Sequence, residues 1–531
     1  MKEAQHLFSR AHRFLNSGTN HQIIITHLFL RGLGLIYFIA FFSLWLQIDG
    51  LIGSEGILPA QRFLENFQEQ TGGGFGELPT LFWLNSSDVM LNALALAGAL
   101  LAFAAILLPF STILWGLLWV LYLSLFNVGQ VFLSFQWDIL LLETGFLAIF
   151  LLPFSLVPRY RLNRLPNGLA IWLFRWLLFR LMFASGVVKL ASMDPSWWNL
   201  TALNFHYFTQ PIPPWTAWYA HQLPEWFQKT SVGGMFFVEL VLPFFILGSR
   251  RFRMFAGLGL VTLQVLIILT GNYCFFNLLT ILFCLWLFDD RIIPKISVPN
   301  WFTRFCQKMV VVPSTKFDDE NPMPGYTLLK LTGRIISYIS AVLLIMVSVM
   351  LLISATFRIQ VNWPNPLVKL YFLQAKFNLV NNYGLFADMT ERRLEISIEG
   401  SNDNKNWQTY KFKYKPEDLE NAPPFVAPHQ PRLDWQMWFA ALGNFRQNPW
   451  FVNFCVRLLQ GSEPVIKLLA HNPFPGNPPL YIRARLYDYQ FTSFEERQSS
   501  GNWWRRKYTG EYLPTLSREN LPYLLEQLRL K

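Results

Sequence analysis

The chain has 531 residues, 53% of them hydrophobic and 15% charged, with a formal charge of +11. Soluble domains carry roughly 25% charged residues, so much of this surface is expected to face lipid, and disorder, collagen-like repeats and a scaffold built on four cysteines are excluded. The 44 Lys and Arg are scattered rather than gathered into a basic, aromatic-interleaved footprint, which argues against a nucleic-acid partner.

Residues 1–22 are polar and form an N-terminal segment. Reading for runs of about 20 apolar residues then predicts nine spanning helices, at 23–47, 87–109, 113–133, 137–157, 170–190, 233–248, 253–271, 274–289 and 335–356. Arg159, Arg161 and Arg164 follow the fourth, Arg250, Arg251 and Arg253 follow the sixth, and seven basic residues lie in 290–334. Positive loops stay on the cytoplasmic side. The N-terminus is therefore expected inside, and an odd span count delivers the C-terminus to the far side.

From Phe357 the texture changes, with 22 Lys and Arg, 16 Asp and Glu and dense proline in 357–531. Leu394, Ile396 and Ile398 alternate with Glu395, Ser397 and Glu399, the period of a half-buried strand. Asn402–Asn406 reads as a turn, Trp407–Tyr414 as the returning strand and Tyr481–Phe491 as another. The expected fold is thus a helical membrane bundle (23–356) followed by a water-facing β-rich domain (357–531), a β-sandwich, with helices near 433–442, 449–460 and 518–529.

Ionisable groups inside a span are costly and tend to be paired or functional. Asp138 and Glu143 fall in the fourth predicted span, Arg180 and Lys189 in the fifth and Glu239 in the sixth. Arg180 calls for an acid on a neighbouring helix, and Glu143 or Glu239 would serve. With Asn272 and Asn277 these residues are candidates for a polar cavity open to the far side, where Lys189 and His206 could do acid–base work. The loop 191–232, rich in Trp, Tyr and Pro, fits an aromatic belt at the interface. No GxSxG, Walker A, GxGxxG, HExxH, CxxC or EF-hand pattern occurs, so no metal or cofactor is expected and no reaction is named.

Several long strings resemble the lipase maturation factor family. They are Thr270–Thr280 (TGNYCFFNLLT), Phe126–Gln130 with Phe135–Asp138 and Leu142–Gly145, Pro424–Trp438 (PFVAPHQPRLDWQMW), Asn472–Pro475, Trp503–Arg506 and Glu511–Pro514. The resemblance implies a polytopic protein that helps secreted lipases reach an active state, its C-terminal region engaging the client. His429, Arg432, Asp434, Trp435 and Trp438 are then the candidate client-binding residues. Partners would be an exported protein such as a lipase, and membrane lipids. The compact chain has no ER-retrieval ending, which favours a bacterial inner membrane with a periplasmic C-terminal domain, or a lumenal one if the source is eukaryotic. Gly50–Gly53 with Gly56–Pro59, and Ser185–Leu190, are similar to segments of vitamin K-dependent γ-carboxylases, where the lysine matching Lys189 acts as a base and a second lysine stands where this chain has Val188. That similarity implies an alternative: an integral-membrane enzyme acting on a quinone, lipid or exported peptide.

Overall fold

In the computed structural model, residues 19–152, 157, 165–295 and 324–527 are described. Arg159, Arg161, Arg164, Arg304, Lys308 and Lys316 lie outside them. Six helices are long and apolar enough to cross a membrane: Ile23–Trp45 (α1), Asp88–Leu107 (α2), Gly168–Ala191 (α5), Glu225–Ile246 (α6), Arg250–Thr270 (α7) and Ser337–Ser354 (α9). The expected spans at 113–133, 137–157 and 274–289 are shorter, as Thr112–Val128 (α3), Gln136–Leu151 (α4) and Phe276–Leu287 (α8). Nine apolar helices are therefore found among the described residues, and six of them have spanning length.

Helix starts are set locally. Ser87 and Ser111 accept from the amides of Met90 and Leu114, and Asn167 from that of Leu169. Within α6, Pro243 has no N–H to give and its ring crowds the carbonyl four residues back, and Phe237–Val241 widens into a π turn just before it. Tight helix contact relies on small residues: a Cβ at Gly98 would collide with the Phe41 ring, and one at Gly145 with the Tyr37 hydroxyl.

The bundle has two distinct ends. At one, the Asp290 carboxylate accepts from the amides of Ile23, Ile24 and Ile25, Arg250 pairs with Asp289 at 2.6 Å, and Arg291 pairs with Asp289 at 2.7 Å. At the other, Ser43, Gln47, Gln136 and Asn272 all bond residues beyond 380. The basic residues Arg250 and Arg291 and the C-terminal domain thus occupy opposite ends.

That domain is built on one four-stranded antiparallel sheet, order β2-β1-β3-β4, from Arg393–Ser401 (β1), Gln408–Thr409 (β2), Tyr481–Phe491 (β3) and Trp504–Ser517 (β4). The expected sandwich is replaced by this sheet with helices Arg432–Ala441 (α10) and Pro449–Gln460 (α11) against it; no second sheet occurs among the described residues. The 402–406 turn forms, with Asp403 accepting from the amides of Lys405 and Asn406. The returning strand is only two residues long. The helix expected at 518–529 is a 3₁₀ turn followed by Leu521–Gln527.

The alternation in β1 does not leave a wet face. Arg393, Glu395 and Glu399 are buried as paired charges: Glu395 pairs with Arg393 at 2.6 Å and with Lys415 at 3.2 Å, and Glu399 with Arg483 at 2.7 Å. Burial of the neighbouring Glu417, which also meets Lys415, pushes its carboxyl up to about 7.

Apolar clusters join the domain to the bundle, and two of them reach the sheet. The larger runs without a break from Leu30 and Trp137 through Trp435 and Trp450 to Ile396, Ile398 and Leu513. The smaller packs Phe208 and Trp218 of the 191–232 loop against Phe491 and Trp504 of the sheet. We expect Trp504→Ala to cost about 3–5 kcal/mol of unfolding free energy, against less than about 0.5 kcal/mol for Glu511→Ala on the exposed face of the same strand; thermal unfolding in detergent measures both.

Candidate functional site

Asp138, Glu143, Arg180, Lys189 and Glu239 are each engaged, and the structure sorts them into three places. Asp138 is in the first turn of α4, where a carboxylate suits the helix N-terminus. Arg432, the first residue of α10, reaches it with both guanidinium nitrogens, Nη2 to Oδ1 at 2.9 Å and Nη1 to Oδ2 at 3.0 Å. Nη1 also donates to the Phe132 carbonyl, and the Tyr122 hydroxyl donates to Asp138 Oδ1 at 2.5 Å. Both side chains of the pair are fully buried, 1% and 0% exposed.

The second place is Glu143 with Arg180, an ion pair between α4 and α5. It is closed from above by the C-terminal chain: the Asn381 amide (3.0 Å) and the Tyr383 hydroxyl (2.8 Å) donate to Glu143 Oε2, while Arg180 Nη1 donates to the Asn381 carbonyl at 3.1 Å. The third is Lys189 with Glu239 at 2.7 Å, both side chains about 6–7% exposed. Lys189 also donates to the Ser185 carbonyl and lies 5.5 Å from the Trp197 ring centroid. Glu239 belongs to the π turn of α6. Arg180 and Lys189 sit nine residues apart on α5, about 13 Å along the axis, so these pairs occupy separate levels. Of the two acids that would serve Arg180, Glu143 takes it and Glu239 goes to Lys189.

Asn272, in the turn after α7, accepts from the amides of Val426 (2.8 Å) and Ala427 (3.0 Å) and donates to the Pro424 carbonyl (2.8 Å). Asn277 instead bonds Gln264 inside the bundle. His206 meets the Tyr273 hydroxyl at 3.2 Å. Burial and the nearby Lys189 charge push His206 down to about 4, so its imidazole is neutral at pH 7.

The residues expected at a client surface lie between the domain and the bundle. Arg432, Asp434, Trp435 and Trp438 are buried. Trp435 packs edge-on against Trp137 with centroids 4.8 Å apart, and Trp438 donates to the Thr209 carbonyl at 2.7 Å. Asp434 accepts from the amides of Tyr414 and Lys415, and burial raises it to about 6. His429 meets Ser43 Oγ of α1 at 2.9 Å. His429, Arg432, Trp435 and Trp438 thus each contact the bundle or its 191–232 loop, while Asp434 bonds within the domain.

Sequence reasoning missed several partners. Ser43, Gln47, Tyr122, Asn381 and Tyr383 complete the network, and Arg393 donates to the carbonyls of Phe208, Gln210 and Pro211 in the 191–232 loop. An arginine at the head of an apolar strand was the available signal for the last; ordinary polar residues at span ends gave none for the others.

Residues 24–295 match the family model for the lipase maturation factor transmembrane domain, and residues 379–514 match that for the lipase maturation factor C-terminal domain. The chain belongs to the lipase maturation factor family. It is 39% identical to lipase maturation factor 2 of Xenopus tropicalis over 92% of this chain and 82% of that protein. With human lipase maturation factor 2 the identity is 38%, over 92% of this chain and 82% of that one. Lipase maturation factor 1 of Mus musculus is 35% identical over 93% of this chain and 87% of its own. No solved structure matches the chain. The two matched family regions are those that the Asp138–Arg432, Glu143–Asn381 and Asn272–Val426 contacts bind together.

Two outcomes follow from this geometry. Removing one partner of Asp138–Arg432 strands a buried charge, so Asp138→Asn or Arg432→Met each costs about 3–5 kcal/mol, whereas Asp138→Leu with Arg432→Met recovers much of it; additive losses in thermal unfolding would contradict the pairing. Burial, then the charges of Arg432 and Lys413, push His429 down from 6.5 to about 4. The unfolded chain therefore takes up a proton first, and a penalty absent above pH 6.5 grows as pH falls toward 4. Asp434, with its raised value, works in the opposite sense. The comparison of the native protein with His429→Gln isolates the histidine: between pH 7 and pH 5 the native protein loses more of its unfolding temperature, and parallel profiles would contradict the assignment.

Proposed function

We propose that this chain is a membrane-tethered maturation factor that assists the folding or assembly of exported proteins, lipases among them, and that its C-terminal domain engages the client. The observation that carries this reading is the family match over both regions, 24–295 and 379–514, together with the buried polar and apolar contacts that seat one on the other. His429, Arg432, Asp434, Trp435 and Trp438 serve it by fixing the pose of the domain; the client meets the outer surface they support.

Charge supports the sidedness. With Arg250 and Arg291 at the cytoplasmic end, the C-terminal domain at the opposite end faces the compartment through which exported proteins pass. The relatives named above are animal proteins, which supports an ER membrane with a lumenal domain; in a bacterial cell the equivalent place is the inner membrane and periplasm.

Co-expression with a secreted lipase, in cells lacking their own factor, tests the proposal. The chain should raise lipase activity per mass of secreted lipase several-fold, and Asp138→Asn should remove most of that gain. An unchanged specific activity would overturn the reading. Lys189→Met in the same assay separates the enzyme alternative, favoured by the Lys189–Glu239 pair at a π turn. Chaperoning by the C-terminal surface survives the loss of the ammonium if the protein stays folded, and chemistry based on Lys189 does not.

A further inference from the structure

Leu35, Phe38 and Phe42 of α1 and Leu46, which caps it, recur at helical spacing along one face. Leu35, Phe42 and Leu46 are 48%, 40% and 60% exposed. On a spanning helix such a stripe faces acyl chains. Toward the C-terminal end of α1 the stripe does not end in open solvent; it runs into a groove of about 400 Å³, within the range of small-molecule sites. Its floor is α1, and its roof is the C-terminal domain, through Tyr414, Pro428, His429 and Leu468.

Both walls carry apolar side chains, the floor adds Ser43 and Gln47, and the one lysine or arginine in the lining, Lys413, belongs to the roof. Lys413 sits at the rim, exposed; its ammonium donates to the Lys467 carbonyl at 2.6 Å and has no acid within ion-pair distance among the described residues. The one acid in the lining, Asp434, is committed to the amides of Tyr414 and Lys415. Lys467 is matched by Glu463 at 2.9 Å. The rim therefore keeps one uncompensated positive charge, above an apolar channel that continues into the bilayer.

We propose that this groove holds a glycerophospholipid of the leaflet next to the C-terminal domain, with an acyl chain along Phe38, Phe42 and Leu46 and its anionic phosphate at Lys413. The site exists only when the domain is seated, because floor and roof come from its two sides. A lipid there covers the apolar wall next to the Ser43–His429 contact and adds a membrane component to the joint.

The test uses the full-length protein in mild detergent with a phosphatidylglycerol carrying a photoreactive group in one acyl chain, and maps the adducts by mass spectrometry. Labelling should concentrate on 38–46 and 426–431 over the comparably exposed Phe255 and Leu258 of α7. It should fall roughly tenfold or more in Lys413→Glu, which replaces an attractive charge by a repulsive one, and persist in Lys413→Arg. Neither variant touches a buried residue, and unchanged unfolding temperatures establish that both are folded. Even labelling around the bundle, or labelling insensitive to Lys413→Glu, would overturn the proposal. So would a photoreactive amino acid at Pro428 that captures protein but no lipid from cell membranes.

Discussion

The structure depends on one buried ion pair, Asp138 with Arg432, whose partners are 294 residues apart in sequence. Each charge is expensive to remove from water, and the cost is recovered only when the two meet bidentately with their remaining hydrogen bonds made. Tyr122 and the Phe132 carbonyl make those bonds. A chain with the domain displaced would leave Asp138 at the mouth of an apolar bundle and Arg432 on an apolar helix face. The pair therefore acts as a register device: it rewards one seating of the domain and penalises near misses.

Around that point the joint is layered. Apolar packing through Trp137, Trp435 and Trp450 supplies area without direction. The polar contacts supply direction: Asn272 clasps the Pro424–Ala427 backbone, Asn381 and Tyr383 reach down to Glu143, and Arg393 gathers three carbonyls of the 191–232 loop. The result is a sheet-and-helix platform held on a helical base.

Much of this was legible in the sequence, and the failures have physical causes. Each of the nine apolar runs falls on a helix, six of them of spanning length, because burial in lipid or in a bundle demands the same composition. That shared demand is also why length misjudged α3, α4 and α8. The strands Leu394–Glu399 and Tyr481–Phe491 were found from their period, yet β1 is covered on both faces. Glu395 and Arg393 are buried as paired charges, and a polar residue in a strand reads as exposed unless its partner is known. The pairing of Arg180 with Glu143 or Glu239 was foreseeable from the cost of a lone charge; that Asp138 would be matched by Arg432 was not. Periodicity carries no information about contacts across hundreds of residues. The same gap hid the contacts that Arg432, Trp435 and Trp438 of the Pro424–Trp438 string make with the bundle and its 191–232 loop.

The most direct test of this account is the distance distribution between a spin label at residue 100 on α2 and another at residue 508 on β4, both exposed, measured by pulsed electron resonance with the protein in lipid nanodiscs. A single narrow distribution, broadened in Asp138→Asn, is the predicted result. A broad distribution in the native protein, unaffected by that substitution, would contradict the claim that the buried pair fixes the domain on its membrane base.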